Sequence, residues 1–251
     1  MVSEKGLLGR MPVRAVLAAL VGLAIALAVP ASGQAGKHGI DVVTAVIFAA
    51  VAAVYVRQAL LRRRQLVTAV YLELNKLRRL YHISKNLAGD SNRYRSWFTE
   101  VHGNLHMYLA AFEGGSLTDY SRNNPGFRNL SYHVYSAPEL ETEKEKVLYA
   151  DLLKTTGTVA ESRQRVKDLL MSGLTSGDWS LMLLTAAAAV VSVLATADTG
   201  IAGRLSAGLA IGAVLAGLDY VRNIDALNGD RVSLAARYVR NVSKLQYSRE
   251  P

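Results

Sequence analysis

The chain has 251 residues, 51% of them hydrophobic, and a formal net charge of +9. It has no cysteine, which excludes disulfide scaffolds and thiol chemistry. The positive charge does not mark a nucleic-acid binder: residues 61–178 hold 17 Lys and Arg against 13 Asp and Glu, and much of the excess flanks apolar stretches, where it sets membrane orientation and attracts anionic lipid.

Four apolar stretches, 13–31, 40–56, 179–197 and 201–221, approach the roughly 20 residues that a helix needs to cross a bilayer core. Charged residues (Asp41, Asp198, Arg204 and Asp219) occur only at or near their ends. Before the first stretch stand Lys5, Arg10 and Arg14, and the run closes on Ala28-Val29-Pro30-Ala31-Ser32-Gly33. That pattern also fits a secretory signal peptide, whose removal would leave three spans.

No Pro or Gly interrupts the chain from Val42 to about Leu87, and Leu66, Val70, Leu74, Leu77 and Tyr81 recur at helical spacing. The second span is therefore expected to continue as one helix beyond the bilayer, to end at Gly89, and to be followed by a cap at Asp90 or Ser91. The next helix, running to about Glu113, carries the stripe Trp97, Val101, Leu105, Tyr108, Leu109 and Phe112. Residues 116–138, with Asn123-Asn124-Pro125-Gly126 and the aromatics Tyr120, Phe127, Tyr132 and Tyr135, are expected to form an ordered loop packed on the bundle.

A long helix should open at Ala137-Pro138-Glu139, with acidic residues near its positive end and Leu148, Leu152, Thr155, Val159, Val166 and Leu170 as its seam. Gly173 and Gly177 are expected to break it before Trp179. The tail 223–247 reads as an amphipathic helix with Val232, Ala236, Val239 and Leu245 on one side.

Orientation follows from Lys and Arg near the span ends. Lys5, Arg10 and Arg14 precede the first span; Arg57, Arg62, Arg63 and Arg64 follow the second; Arg222, Arg231, Arg237, Arg240, Lys244 and Arg249 follow the fourth. The hairpin turns contain only Lys37 and Arg204. Tyr55, Trp179 and Tyr220 fall at the inner ends, where aromatic rings prefer the interface. The expected fold is an all-α integral membrane protein of the plasma membrane, in which two transmembrane hairpins flank a cytoplasmic helical bundle and both termini are cytoplasmic. Its parts are 1–58 (flank and first hairpin), 59–178 (cytoplasmic helical domain), 179–221 (second hairpin) and 222–251 (cytoplasmic amphipathic tail).

Three ladders of small residues repeat every four positions: Ala18, Gly22, Ala26; Ala45, Ala49, Ala53; and Gly208, Gly212, Ala216. Small residues let helices approach closely in lipid, either within one subunit or between subunits. Gly208, Gly212 and Ala216 are the candidates for subunit packing in a homo-oligomer. Thr185, Ser192 and Thr196 lie near one face of the third span and are candidate pore-lining residues, unless each hydroxyl bonds its own helix. Asp41 and Asp219 are candidate pore mouths. No ionisable residue lies at mid-membrane, which disfavours ion-coupled transport more than a passive pore.

His102 and His106 have metal-ligand spacing, but Gly103 leaves no HExxH pattern and no metal is expected. There is no phosphate-binding loop, GxGxxG or GxSxG, so an enzyme reading has no residue to stand on and no cofactor is implied. The layout resembles that of bestrophin-type anion channels and of the flagellar stator and TolQ group. Asn92-Arg93-Tyr94-Arg95-Ser96-Trp97-Phe98 resembles the Asn/Tyr/Arg/Trp stretch after the second span of bestrophins, over seven residues. The resemblance is architectural and assigns no residue a role.

Two functions are therefore expected. The first is a homo-oligomeric membrane pore, a passive ion channel with a cytoplasmic helical vestibule and inorganic ions as permeants. The alternative is a non-conducting sensor, effector or scaffold that binds a cytoplasmic partner through segment 120–135. The bilayer is a partner under either reading, and a homo-oligomer is expected, with a ring of subunits favouring the pore and a monomer or compact dimer favouring the alternative.

Overall fold

The computed structural model describes residues 5–29, 38–90, 92–113, 115, 117, 120 and 124–246. Among these residues it is all-helical, without strands. The helices are α1 (Lys5–Ala28), α2 (His38–Asp90), α3 (Arg95–Ala110, after a 3-10 turn at Asn92–Tyr94), α4 (Asn124–Tyr135), α5 (Glu143–Met171), α6 (Ser176–Thr196), α7 (Ile201–Asp225) and α8 (Asn228–Gln246). Three of them, α2, α6 and α7, carry stretches long and apolar enough to cross a membrane. The apolar run of α1, Val13–Ala28, is shorter. Large aliphatic side chains on these helices face outward: Val46 is 60% exposed, Leu184 69% and Leu209 66%. Surfaces of this kind require an apolar surrounding.

The chain divides into two units, the first made of residues 1–62 and 173–229, the second of 63–172 and 230–251. In the first unit α1 lies directly on α7. A Cβ on Gly22 would stand 2.4 Å from the Gly208 carbonyl oxygen, and one on Gly212 would stand 2.6 Å from Ala19 Cα. Backbone meets backbone because neither side presents a side chain there. A second cluster joins α2, α6 and α7 through Phe48, Tyr55, Met182, Ala186, Ala189, Val214 and Val221. Tyr55 is thus buried among helices, while Tyr220 is 41% exposed. Arg62 closes one end of this unit. Its Nη1 donates to Asp225 Oδ1 at 2.8 Å and its Nη2 to the Asp225 carbonyl at 2.6 Å, while the Leu174 N–H donates to the same carboxylate at 3.1 Å. Leu227 makes the turn out of α7 at φ 53°, a left-handed conformation costly for a leucine; its side chain is almost fully buried, which offsets part of that cost.

The second unit packs the remainder of α2 with α3, α4, α5 and α8. The expected seams are largely buried: Leu66, Val70, Leu74, Leu77 and Tyr81 on α2; the whole Trp97–Phe112 stripe; and Leu152, Thr155, Val159 and Val166 on α5, whose Leu148 and Leu170 are half-buried. Four local expectations are corrected. Within 116–138 lies a helix, α4, because proline is tolerated in a first helical turn and Pro125 is its second residue. Helix α5 opens at Glu143 rather than 139, because Thr142 and Glu145 form a capping box: the Glu145 N–H donates to Thr142 Oγ1 at 3.2 Å, and the Thr142 N–H donates to Glu145 Oε2 at 2.9 Å. Gly177 breaks nothing; it sits in the first turn of α6, capped by Thr175. On α8 the buried face is Leu234, Ala235 and Tyr238, while Val232 is 47% exposed. The Tyr238 ring and hydroxyl find partners in the core, described below, and these rotate the helix away from its aliphatic side. Ser91 and the side chains of Asp90 and Leu245 lie outside the described residues, and with them the cap expected at Asp90 or Ser91.

Removing the α5 cap by Thr142→Ala is expected to cost about 1 kcal/mol, read as a lower denaturation midpoint of the full chain in detergent; no change would mean that the box contributes nothing.

Candidate functional site

Glu73 is next to Leu74 in the buried seam of α2 and is itself fully buried. A lone carboxylate there would be very costly, and the second unit supplies partners from four further segments. The Tyr108 hydroxyl of α3 donates to Oε1. The Tyr120 and Tyr238 hydroxyls donate to Oε2 at 2.5 and 2.6 Å. Arg163 of α5 brings Nη1 to 3.8 Å from Oε1 and donates from it to the Tyr108 hydroxyl, while its Nη2 donates to Asn124 Oδ1 at 3.2 Å. The guanidinium carbon stands 4.7 Å from the Tyr108 and Phe127 ring centres and 5.1 Å from that of Tyr120, so its charge rests on aromatic faces. The rings of Phe112 and Tyr238 lie 4.3 Å apart and seal the far side.

Burial pushes the Glu73 carboxyl above its ordinary range, against the downward pull of the three hydroxyls and of Arg163. Burial, reinforced by Glu73, likewise raises Tyr108, Tyr120 and Tyr238, which therefore remain protonated donors. The cluster is a lock that joins α2, α3, the segment around Tyr120, α5 and α8.

Beside it is a cavity of about 220 Å³, lined by Tyr120, Asn124, Phe127, Ala160, Arg163, Gln164 and Lys167. Among the described residues its wall carries two cations, Arg163 and Lys167, and no carboxylate. Asn124, Ala160 and Gln164 are exposed, whereas Tyr120 and Arg163 are buried. The cavity therefore runs from the surface down to the locked cluster.

The residues singled out in the sequence lie in the first unit. Thr185 Oγ1 donates to the carbonyls of Leu181 and Met182 at 3.1 and 3.0 Å, and Thr196 Oγ1 to that of Ser192 at 2.9 Å. Both hydroxyls thus bond their own helix, and Thr185, Ser192 and Thr196 are half-buried. Thr196 also reaches Asp41 Oδ2 at 3.4 Å. Asp219 accepts from Arg14 Nη1 at 3.4 Å and from Asn223 Nδ2 at 2.9 Å. Gly208 and Gly212 pack on α1 of the same chain, and Ala216 is half-buried. The Ala45, Ala49, Ala53 ladder stays exposed. In the second unit His102 lies 5.5 and 5.9 Å from the rings of Tyr81 and Phe98.

Glu73 and Arg163 were not identified from the sequence. Each had a signal, because both interrupt an apolar seam: Glu73 precedes Leu74, and Arg163 follows Val159 by one helical turn. No family model, no curated protein and no solved structure matches the chain.

Proposed function

We propose that this protein is a membrane-anchored sensor or effector, neither conducting nor enzymatic, whose helical bundle takes up a ligand or partner. The carrying observation is the locked Glu73 cluster with a cationic cavity opening onto it, since an anchor needs no buried ion pair and gains little stability from one. Two of the joined side chains, Glu73 and Tyr238, sit on chain continuations of apolar helices: Glu73 on α2 itself, Tyr238 on α8, which follows α7 after Ala226 and Leu227. The cluster is thus the place where a bound ligand can be felt by both. The Lys and Arg bias at the apolar ends supports a plasma-membrane protein with a cytoplasmic bundle and cytoplasmic termini. Purified protein in liposomes is expected to pass no ions over a range of voltage, pH and tension; a tracer flux or bilayer current would overturn this reading.

The second reading is the homo-oligomeric passive channel, with Thr185, Ser192 and Thr196 along the path and Asp41 and Asp219 at its mouths. The observation that favours it is the exposed Ala45, Ala49, Ala53 ladder on α2, a free small-residue face of the kind that associates helices in lipid. A ring of subunits with α2 or α6 at its axis would support it; a monomer or compact dimer would support the sensor.

A further inference from the structure

We propose that the cavity over Arg163 binds a small dianion, a phosphoryl group being the chemistry that fits it. The inference rests on the sensor reading and names what the bundle detects. Arg163 and Lys167 are four residues apart on α5 and so share one helix face. Both line the cavity, with the Asn124 amide as a further donor; the Gln164 amide on the same wall already donates to Asp168 Oδ1 at 2.8 Å. Asn124 is also the first residue of α4, a helix of 12 residues whose positive end adds to the same field.

The charge on this wall is only partly met: Arg163 is paired with Glu73, while Lys167 is not. Glu73, at 3.8 Å, is the carboxylate that Arg163 meets among the described residues, and it also accepts from three tyrosine hydroxyls. A guanidinium has five N–H donors in a planar fork; here one is directed to a hydroxyl and one to an amide oxygen. Lys167 is half-buried on the same wall and meets no carboxylate among the described residues. A neutral apolar occupant would leave Lys167 desolvated without a counter-ion and the remaining Arg163 N–H groups without an acceptor, which is unfavourable. A dianion pairs them both, and the flat rings of Tyr120 and Phe127 can flank a small planar group that it carries. The volume of about 220 Å³ limits that group to a small one.

A phosphoryl group can come from a soluble monoester or from a lipid headgroup, and the test separates the two. The full chain in phosphatidylcholine nanodiscs is titrated calorimetrically with phenyl phosphate and with inorganic phosphate, then again in nanodiscs doped with phosphatidic acid. Saturable binding that weakens with salt is expected. Lys167→Gln should weaken it by about tenfold or more, the scale of one charge-assisted hydrogen bond. Ala160→Leu, which fills the cavity without altering charge, should abolish it. Lys154→Gln, on exposed α5 surface outside the wall, should leave it unchanged. Displacement of phenyl phosphate by phosphatidic acid identifies the headgroup as the source; undiminished binding identifies a soluble ligand. Absence of saturable binding to either phosphate, or equal affinity in the parent and Lys167→Gln, overturns the inference while leaving non-conduction in liposomes intact. A current with phosphate binding preserved overturns the sensor reading alone.

Discussion

Replacing Glu73 by alanine is expected to destabilise the bundle by about 3–5 kcal/mol, the cost of breaking a buried charge pair on one side. Three hydroxyls would lose their acceptor, and Arg163 would become an uncompensated buried cation. The reporter is built in. Trp97 lies in the bundle, and its indole N–H donates to the His133 carbonyl at 2.7 Å. The other tryptophan, Trp179, lies in the first unit, so a Trp179→Phe background makes denaturant unfolding followed by fluorescence specific to the bundle. Adding Arg163→Met to Glu73→Ala should recover part of the loss, because the orphaned charge goes with it. A loss under about 1 kcal/mol for Glu73→Ala, or a double variant weaker than the two single losses summed, would show that the cluster is not a coupled unit.

The same group gives a pH dependence. Burial holds the Glu73 carboxyl above its ordinary value, so the folded chain binds that proton more tightly than the unfolded chain. This contribution is complete below the ordinary carboxylate value and is lost as pH rises through the raised one. The Glu73→Ala curve should lack that fall, and a parallel pair of curves would count against the assignment.

Gly22→Val is expected to cost about 3 kcal/mol, the upper end of over-packing. The first added carbon would meet the Gly208 oxygen and the Gly212 nitrogen, both at 2.4 Å. These are backbone atoms, so no rotamer change relieves the contact and the helices must separate. Thermal unfolding in detergent, followed by Trp179 in a Trp97→Phe background, measures the loss. Gly200→Ala is the control, because nothing stands within 4 Å of its Cβ. Equal melting of Gly22→Val and the control would mean that α1 does not depend on this contact.

Much of the helical plan was legible because it rests on periodicity and on punctuation that the chain states locally. The seams on α2, α3 and α5 are examples, as is the uninterrupted run that becomes one long helix. Boundaries were less legible. Pro125 reads equally as a turn signal and as a first-turn helix residue, and the Thr142–Glu145 box outweighs Pro138 as the start of α5. The site was legible least. Glu73 is one carboxylate beside an apolar seam, and its partners are 35, 47, 90 and 165 residues away in sequence; no local pattern announces a meeting of that kind. The Gly208 and Gly212 ladder reads in sequence as a close-packing face for another subunit; in the structure it meets α1 of the same chain, because a ladder does not carry the address of its partner helix.

The bundle is assembled from two pieces of chain, 63–172 and 230–251, with α6 and α7 translated between them. During synthesis, Glu73, Tyr108 and Arg163 leave the ribosome well before Tyr238 does. The core must therefore wait, with one hydroxyl missing and the Phe112 ring uncovered, until the second apolar pair has been made. Completion of the bundle then reports that the later apolar helices have left the ribosome. A chain stalled or cut before α8 leaves an exposed aromatic face, the kind of surface that quality-control machinery recognises.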